Sequence, residues 1–268
     1  MAIDLLEQIY PHIKNSIYPI RIQIPDWKMK EGDVPQAASI SFNDRSWTSI
    51  RIPFLWGKFD KTFWFRQTIK VDQTLAGKPL VLLVDFPQAL LYLNGKPFHG
   101  IDCNHREILL CEKSKLNDQY FIAIQAYSGR TQNHHIFSSV ELAVLDTTAR
   151  RFYSALNVLQ DLEKLVEHNS LESKEIRDLI RRTLIFLKYF KPGSEEYPNA
   201  IRRAYNFLLN TLETDLKTSL LVLVHLIGHS YIAPAWLSII HETARQCGRT
   251  ISSALRLMEE FPEFKFSF

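Results

Sequence analysis

Glycine, proline and cysteine are all scarce in this chain of 268 residues, which holds 9 glycines, 12 prolines and 3 cysteines. So few glycines and prolines exclude a collagen-like or low-complexity protein. The three cysteines, Cys103, Cys111 and Cys247, cannot all pair with one another and show no CxxC spacing. We therefore expect a protein of a reducing compartment, the cytoplasm.

Long apolar runs and an excess of one charge are absent as well. The longest apolar stretch, Leu220–Gly228, is about half of what a membrane span needs and contains His225. The first residues lack the cationic start, apolar core and cleavage site of a signal peptide. The 32 basic and 29 acidic residues are spread along the chain, so they form no basic stripe. The sequence thus predicts neither a membrane nor a nucleic-acid partner.

Within the first 148 residues, the spacing of the hydrophobic residues changes from a helical period to the alternation typical of strands. Residues 1–18 show a helical stripe that is interrupted by Pro11. Short alternating segments separated by turns follow from about residue 20 to 148, a pattern typical of an antiparallel sandwich. Asn94-Gly95 is the strongest turn signal, because both residues tolerate the positive φ of a type I′ hairpin. The predicted strands fall in segments 21–24, 63–71, 80–86, 90–93 and 120–127.

The rest of the chain predicts helices and then a strand, a helix and a second strand. Leu220–Gly228 is apolar on both faces, as a buried parallel strand should be, and Phe264–Phe268 begins another strand. Between them lies a predicted helix with an apolar stripe of Leu237, Ile240, Ala244, Cys247, Ile251, Leu255 and Met258. A closed βα barrel uses ~250 residues, so this unit is only the opening of one.

These patterns predict an α+β protein of several parts. We expect an antiparallel β-sandwich of the galactose-binding-like or jelly-roll type, then a helical region, then the first βα unit of an incomplete β/α barrel. The predicted boundaries are 1–148 for the N-terminal helix with the sandwich, 149–218 for the helical linker region and 219–268 for the start of the barrel.

Three separated motifs carry a resemblance to a known family. The run Gly228–Trp236, GHSYIAPAW, resembles the first active-site motif of the zinc-dependent α-mannosidases of glycoside hydrolase family 38, written roughly G-H-S-H-I-D-x-A-W. Glu242–Thr250 and Arg256–Ser267 resemble the helix and second strand that follow it in the family. Upstream, Leu91–Gly95 and Gly100–His105 are similar to the sandwich domain that precedes the barrel. The chain therefore resembles the N-terminal region of such an α-mannosidase, truncated within the catalytic barrel.

The resemblance implies retaining, zinc-dependent hydrolysis of terminal α-mannose as the activity of the parent family. In the family motif, the second His and the Asp bind zinc, but here Tyr231 and Ala233 stand at these positions. Alanine has no donor atom, and a neutral tyrosine is a poor ligand. The family's other ligands and its catalytic carboxylates lie on later strands, beyond residue 268. We therefore expect no catalytic residue, no metal ligand, no cofactor and no activity in this chain. Trp236 matches the family tryptophan that stacks against the sugar.

Other residue patterns that suggest chemistry also have plainer structural explanations. His225 and His229 lie on the predicted strand roughly 13 Å apart, too far for one metal ion. The aromatic segment from Trp56 to Phe65 fits either a buried core or a sugar platform, and its dense alternation favours the core. Cys103 and His105 show no partnering acid, so a structural place in the sandwich is favoured over a nucleophilic pair.

Two hypotheses of function remain open at the level of sequence. One is an inactive N-terminal portion of an α-mannosidase-like enzyme. The other is a non-catalytic carbohydrate-binding or scaffolding module built on the sandwich. A carbohydrate is the expected small-molecule partner. The apolar strand and helix of 219–268 favour either self-association or a second chain that completes the barrel.

Overall fold

The computed structural model describes residues 2–130, 134–167, 170–216, 225–230, 232 and 240–267. The chain divides into two compact units. The helical unit consists of Met1–Ile20 and Val144–Val224, and the sandwich unit consists of Arg21–Ala143 and His225–Phe268. No helix in the described part of the chain is long and apolar enough to cross a membrane.

In its described residues, the helical unit contains the helices α1 (Ala2–Ser16), α2 (Thr147–Leu165), α3 (Leu171–Ile185) and α4 (Tyr197–Leu216). The side chain of Asp146 caps α2 by accepting a hydrogen bond from the backbone N of Ala149 at 2.9 Å. Ser170 caps α3 in the same way through the backbone N of Ser173, at 3.1 Å. The bundle buries apolar side chains of all four helices, among them Ile13, Phe152, Leu156, Ile180, Leu184, Ile201 and Leu208.

The structure groups the first helix with this bundle, whereas the sequence placed it with the sandwich. Helix α1 packs on α2 and α3, and the ring of Tyr10 lies 4.7 Å from the ring of Tyr153 on α2. The helix also runs without a break through Pro11. Packing of this helix is a long-range property that hydrophobic periodicity does not report, which explains the difference.

The described part of the first 144 residues contributes these strands to the sandwich: β1 (Ile20–Gln23), β2 (Asp26–Glu31), β3 (Thr48–Arg51), β4 (Phe54–Trp56), β5 (Thr62–Lys70), β6 (Leu80–Asp85), β7 (Ala89–Leu93), β8 (Lys96–Ile101), β9 (Glu107–Cys111), β10 (Gln119–Tyr127), β11 (His135–Phe137) and β12 (Ser139–Val144). One sheet has the order β1-β12-β6-β9, and a larger one has the order β3-β2-β5-β10-β7-β8. Strands β4 and β11 form a separate antiparallel pair. The predicted antiparallel sandwich is confirmed, although the predicted segments left out strands as long as the six-residue β2 and β12.

The centre of the sandwich is aromatic. Phe65 of β5 packs edge-on against Phe86 and Phe137, with ring centroids 5.4 and 5.2 Å away. Trp56 stacks on Phe86 at 5.1 Å. Trp56, Phe63, Trp64 and Phe65 are buried, so the prediction of a core is confirmed for these four. Phe59, from the same segment, is 51% exposed and is not part of the core.

The opposite face of the larger sheet is covered too. Trp64 and its neighbours on that face pack against the segment from Val34 to Trp47, which includes a short 3₁₀ helix at Pro35–Ala38. Because both faces of β5 are covered, its residues Thr62–Arg66 are all buried. Alternation alone predicted only one buried face for this strand.

The predicted hairpin at Asn94-Gly95 is confirmed. Asn94 has a φ of 50° and Gly95 a φ of 86°, as a type I′ turn requires. The turn joins β7 to β8, which pair antiparallel. The side-chain Oδ1 of Asn94 also accepts a hydrogen bond from the backbone N of Phe121 at 3.0 Å, which fixes the turn to β10.

The chain ends with β13 (Gly228–His229), α5 (Ile240–Glu260) and β14 (Phe266–Ser267). Strands β13 and β14 pair in parallel, with Gly228 opposite Phe266 and His229 opposite Ser267. This arrangement confirms a strand, a helix and a second strand parallel to the first. The first strand is shorter than predicted, because Leu226 and Ile227, which the sequence placed in a buried strand, precede β13 and are 85% and 63% exposed. Residues 220–224 of the predicted first strand lie outside the described residues.

Candidate functional site

The loop after β8 is organised around one carboxylate. Oδ1 of Asp102 accepts hydrogen bonds from the backbone N of Asn104 at 2.7 Å and of His105 at 3.0 Å, and it lies 2.9 Å from Nδ1 of His105. Partial burial raises the pKa of Asp102, but the bonds from His105 and Asn104 outweigh this effect and the pKa is lowered. The loop therefore holds an ionised carboxylate beside an oriented imidazole. Cys103, between them, is exposed and makes no disulfide.

A second histidine lies just before this loop. His99 is buried, and its ring lies 6.0 Å from that of His105. Its Nδ1 lies 2.5 Å from the carbonyl oxygen of Gly100. Burial lowers the pKa of His99, because a charged imidazolium loses its hydration there. The neutral form of His99 is therefore favoured at neutral pH.

Helix α5 packs on β8 through a point of very close approach. The backbone N of Gly100 donates a hydrogen bond to Oγ of Ser253 at 3.0 Å. A Cβ placed on Gly100 would lie 2.8 Å from the carbonyl oxygen of Arg249 and 2.9 Å from that Oγ. The absence of a side chain at this strand position is what allows the helix to approach so closely.

The side of α5 that faces the sandwich is polar and ion-paired. Arg249 donates to Oε1 of Glu242 at 2.7 Å, and both side chains are almost fully buried. Arg245 joins the same carboxylate at 3.4 Å and reaches Asp33, which follows β2, at 3.1 Å. The surface of α5 that meets the sandwich therefore carries paired charges.

The apolar stripe of α5 faces away from the sandwich, contrary to what periodicity suggests for a helix that covers a sheet. Ile251, Leu255 and Met258 are 44%, 53% and 40% exposed. Their neighbours on the polar side, Ser253 and Arg249, are buried. The buried Glu242, Arg249 and Ser253 all have partners, which lowers the cost of covering the polar side.

The parallel strands complete the site. Nδ1 of His229 lies 3.2 Å from the carbonyl oxygen of Ser267, to which it can donate, and the His229 side chain is exposed. A Cβ at Gly228 would lie 2.8 Å from Cζ of Phe264. The rings of Phe264 and Phe266 have centroids 6.4 Å apart. The bare glycine therefore leaves room for two phenyl rings beside β13.

The loop after β8, helix α5 and strands β13 and β14 surround a cavity of about 500 Å³. The end of β8 contributes Ile101, the loop after it contributes Asp102 and His105, and Gln88 lies just before β7. The facing wall consists of α5 side chains and of residues from β13 and β14, including Gln246, Arg249, Thr250, Ser253, Leu257, His229, Ser230, Phe264 and Phe266. The volume of the cavity falls within the range of about 300–1,000 Å³ that is usual for small-molecule sites.

The residues predicted from the α-mannosidase motif are not tested by this geometry. Tyr231, Ala233 and Trp236 lie outside the described residues, so their roles stay predictions. His229 lies at the cavity, whereas His225 is exposed. Across the described residues, no three His, Cys, Asp or Glu side chains gather closely enough to hold a metal ion.

Sequence reasoning missed the contribution of Asp102, His105, Gln246 and Thr250 to one cavity. Two signals were available. A glycine within a strand, Gly100, often marks close approach by another segment. The polar residues Glu242, Arg249 and Ser253 recur at intervals of seven and four, which places them on one face of α5.

Both halves of the site match known sequence families. Residues 18–141 match the family described as "Alpha-mannosidase, jelly roll domain", and residues 221–268 match the "Glycosyl hydrolases family 38 N-terminal domain". The chain is a relative of the family 38 α-mannosidases. The jelly-roll match and the observed antiparallel sheets agree on the fold of the sandwich.

The curated proteins to which the chain is similar are much longer than the chain. It is 22% identical over 260 residues to "Alpha-mannosidase G" of Dictyostelium discoideum, covering 87% of the chain and 23% of that protein. It is 23% identical over 225 residues to "Alpha-mannosidase 2C1" of Mus musculus, covering 77% of the chain and 21% of that protein. The chain therefore spans less than a quarter of the length of these relatives.

Among solved structures, the chain is similar to a β-glucuronidase of Bacteroides uniformis. The two share 21% sequence identity with a TM-score of 0.40, over 47% of this chain and 18% of the other.

Proposed function

We propose that this chain is the N-terminal portion of an α-mannosidase-like glycoside hydrolase. The observation that carries the proposal is the order of the two family matches, a jelly-roll domain at 18–141 followed by a family 38 N-terminal domain at 221–268. The parent activity is retaining, zinc-dependent hydrolysis of terminal α-mannose. The cysteine content of the chain, with Cys103, Cys111 and Cys247 free in the structure, supports a cytoplasmic location.

We further propose that the chain does not catalyse this reaction by itself. The two zinc-donor positions of the first family motif hold Tyr231 and Ala233. The methyl group of an alanine offers no lone pair to a metal. The phenol of a tyrosine ordinarily has a pKa of about 10 and is mostly protonated at neutral pH. The donor set present here therefore does not fit the zinc ion of the parent family, and no catalytic step is assigned to it.

Zinc binding and mannoside hydrolysis test this proposal together. We expect the purified chain to retain no stoichiometric zinc after equilibrium dialysis, measured by mass spectrometry, and to hydrolyse no aryl α-mannoside. The double substitution Tyr231→His with Ala233→Asp restores both donors and is expected to raise zinc retention.

The control for nearby histidine chemistry is His225→Gln, which removes an exposed imidazole from the same segment and should leave zinc retention unchanged. Chelator-sensitive hydrolysis by the unmodified chain, or zinc held as tightly as by the double variant, would overturn the proposal.

The second candidate function is a non-catalytic carbohydrate-binding or scaffolding module. The cavity between the loop after β8 and α5 favours it, because this cavity does not depend on the substituted zinc positions. As a module, the chain could act through self-association or beside a second chain that completes the barrel. The exposed stripe of α5 supports either arrangement.

A further inference from the structure

Each charged side chain in the described wall of the cavity beside α5 already has a hydrogen-bond partner. Arg249 is bound to Glu242 at 2.7 Å, and Asp102 is bound to His105 at 2.9 Å. A charged ligand would have to compete with one of these partners or leave its own charge unpaired. The electrostatics of the cavity therefore favour a neutral ligand.

Several polar groups in the wall have hydrogen-bonding capacity left over. Gln88, Gln246 and Thr250 line the cavity, and within the described structure their side chains form no hydrogen bond. An amide offers both donors and an acceptor, and a hydroxyl offers one donor and two acceptor lone pairs. A ligand hydroxyl, which both donates and accepts hydrogen bonds, complements these amide and hydroxyl groups.

The same cavity has an aromatic side. Phe264 and Phe266 line it with rings tilted 35° to each other, and Ile101 and Leu257 add aliphatic surface. Apolar ring surface beside unpaired amides and a hydroxyl suits a ligand that carries C–H faces and hydroxyl edges together.

We propose that this cavity binds a neutral mono- or disaccharide, with Gln246 and Thr250 of α5 holding its hydroxyl groups and Phe264 and Phe266 packing against its C–H surface. The proposal rests on the carbohydrate-binding candidate and does not depend on the zinc positions or on mannoside hydrolysis. It assigns sugar contacts to the face of α5 that lies against the sandwich.

Titration of the full chain with defined sugars tests the proposal. The probes are methyl α-D-mannopyranoside, methyl β-D-glucopyranoside and glucose 6-phosphate, followed by ¹H–¹⁵N chemical shifts. We expect saturable shifts with at least one neutral glycoside, centred on the amides of Asp102, Gln246 and Thr250, and weaker binding of the phosphorylated sugar. Gln246→Leu and Thr250→Val should each lower the affinity about fivefold, the value of one neutral hydrogen bond.

The matched control is Gln119→Leu, which removes an exposed amide at the start of β10 outside the cavity and should leave the affinity unchanged. Thermal unfolding of each variant separates loss of binding from loss of folding. Absence of binding by both neutral glycosides, preferential binding of glucose 6-phosphate, or affinity unaffected by both α5 substitutions would each overturn the proposal. The family relationship would stand in all three cases, since it rests on the sequence matches.

Discussion

Arg66 is a charged residue at the centre of a hydrophobic cluster, with only 2% of its surface exposed. Its guanidinium donates to the carbonyl oxygens of Phe42 at 3.0 Å and Ser39 at 2.9 Å, and it lies 3.1 Å from Asp44. The rings of Phe42, Trp47 and Phe121 pack around it at 4.6–5.5 Å. Burial lowers the pKa of Arg66 while Asp44 raises it, and an arginine stays protonated throughout. This one side chain thus ties the segment over the larger sheet to β5.

Substitution of Arg66 by methionine should lower the free energy of unfolding of the sandwich by about 3–5 kcal/mol. The reason is that Asp44 and two carbonyl groups lose their partner while the cluster stays closed. Urea unfolding followed by tryptophan fluorescence measures the change, because Trp47 and Trp64 belong to the same cluster.

The comparison variant is Arg51→Met, whose arginine makes a 3.4 Å pair with Asp26 on an exposed surface. Exposed pairs contribute about 1 kcal/mol or less, so this variant should unfold almost like the original protein. Equal effects of the two substitutions would show that Arg66 is not a structural anchor.

At the scale of single elements, two glycines at the contacts of α5 with the sandwich have opposite requirements, Gly100 of β8 and Gly248 of α5 itself. Gly100→Ala puts a Cβ within 3.0 Å of backbone and side-chain atoms of α5 and should destabilise the protein by about 1–3 kcal/mol. Gly248→Ala puts a Cβ 3.5 Å from Cδ2 of Leu90, an ordinary contact, and removes a glycine from a helix interior. That change should be neutral or stabilising by up to about 1 kcal/mol.

Hydrogen exchange of the α5 amides checks this pair of substitutions. We expect faster exchange across Ile240–Glu260 in the Gly100 variant and unchanged or slower exchange in the Gly248 variant. Equal acceleration of exchange by both alanines would show that the close approach at Gly100 does not determine how α5 packs on β8.

Local chemistry explains which elements the sequence could predict. Asn94-Gly95 specified its hairpin because the turn depends on φ values that few residues tolerate. The helix α5 was predicted from its period, but the side it buries was not, because ion pairs such as Glu242 with Arg249 form only after folding. His135 lies in β11, where its Nε2 is 2.9 Å from the carbonyl oxygen of Ser128, and no pattern in the sequence indicates this contact.

At the scale of the whole molecule, the candidate site could not be predicted from sequence because its walls are far apart in the chain. Asp102 and His105 come from the sandwich, and Gln246 and Thr250 follow more than a hundred residues later. Only the docking of α5 on β8 brings them to one cavity. The family resemblance, by contrast, was readable because its motif is a contiguous run, Gly228–Trp236.

Self-association is the expected consequence of the exposed α5 stripe. Ile251, Leu255 and Met258 recur at intervals of four and three, so they lie on one face, and all three are at least 40% exposed. A contiguous apolar face is costly to leave in water, and two copies can cover it with a symmetric contact.

We expect the apparent mass in light scattering to rise with concentration for the original chain, and to stay at the monomer value for Ile251→Gln with Leu255→Gln. Leu116→Gln, an equally polar change at a 49% exposed leucine between β9 and β10, should not suppress association. A concentration-independent monomer would mean that this face is tolerated in solution without a partner.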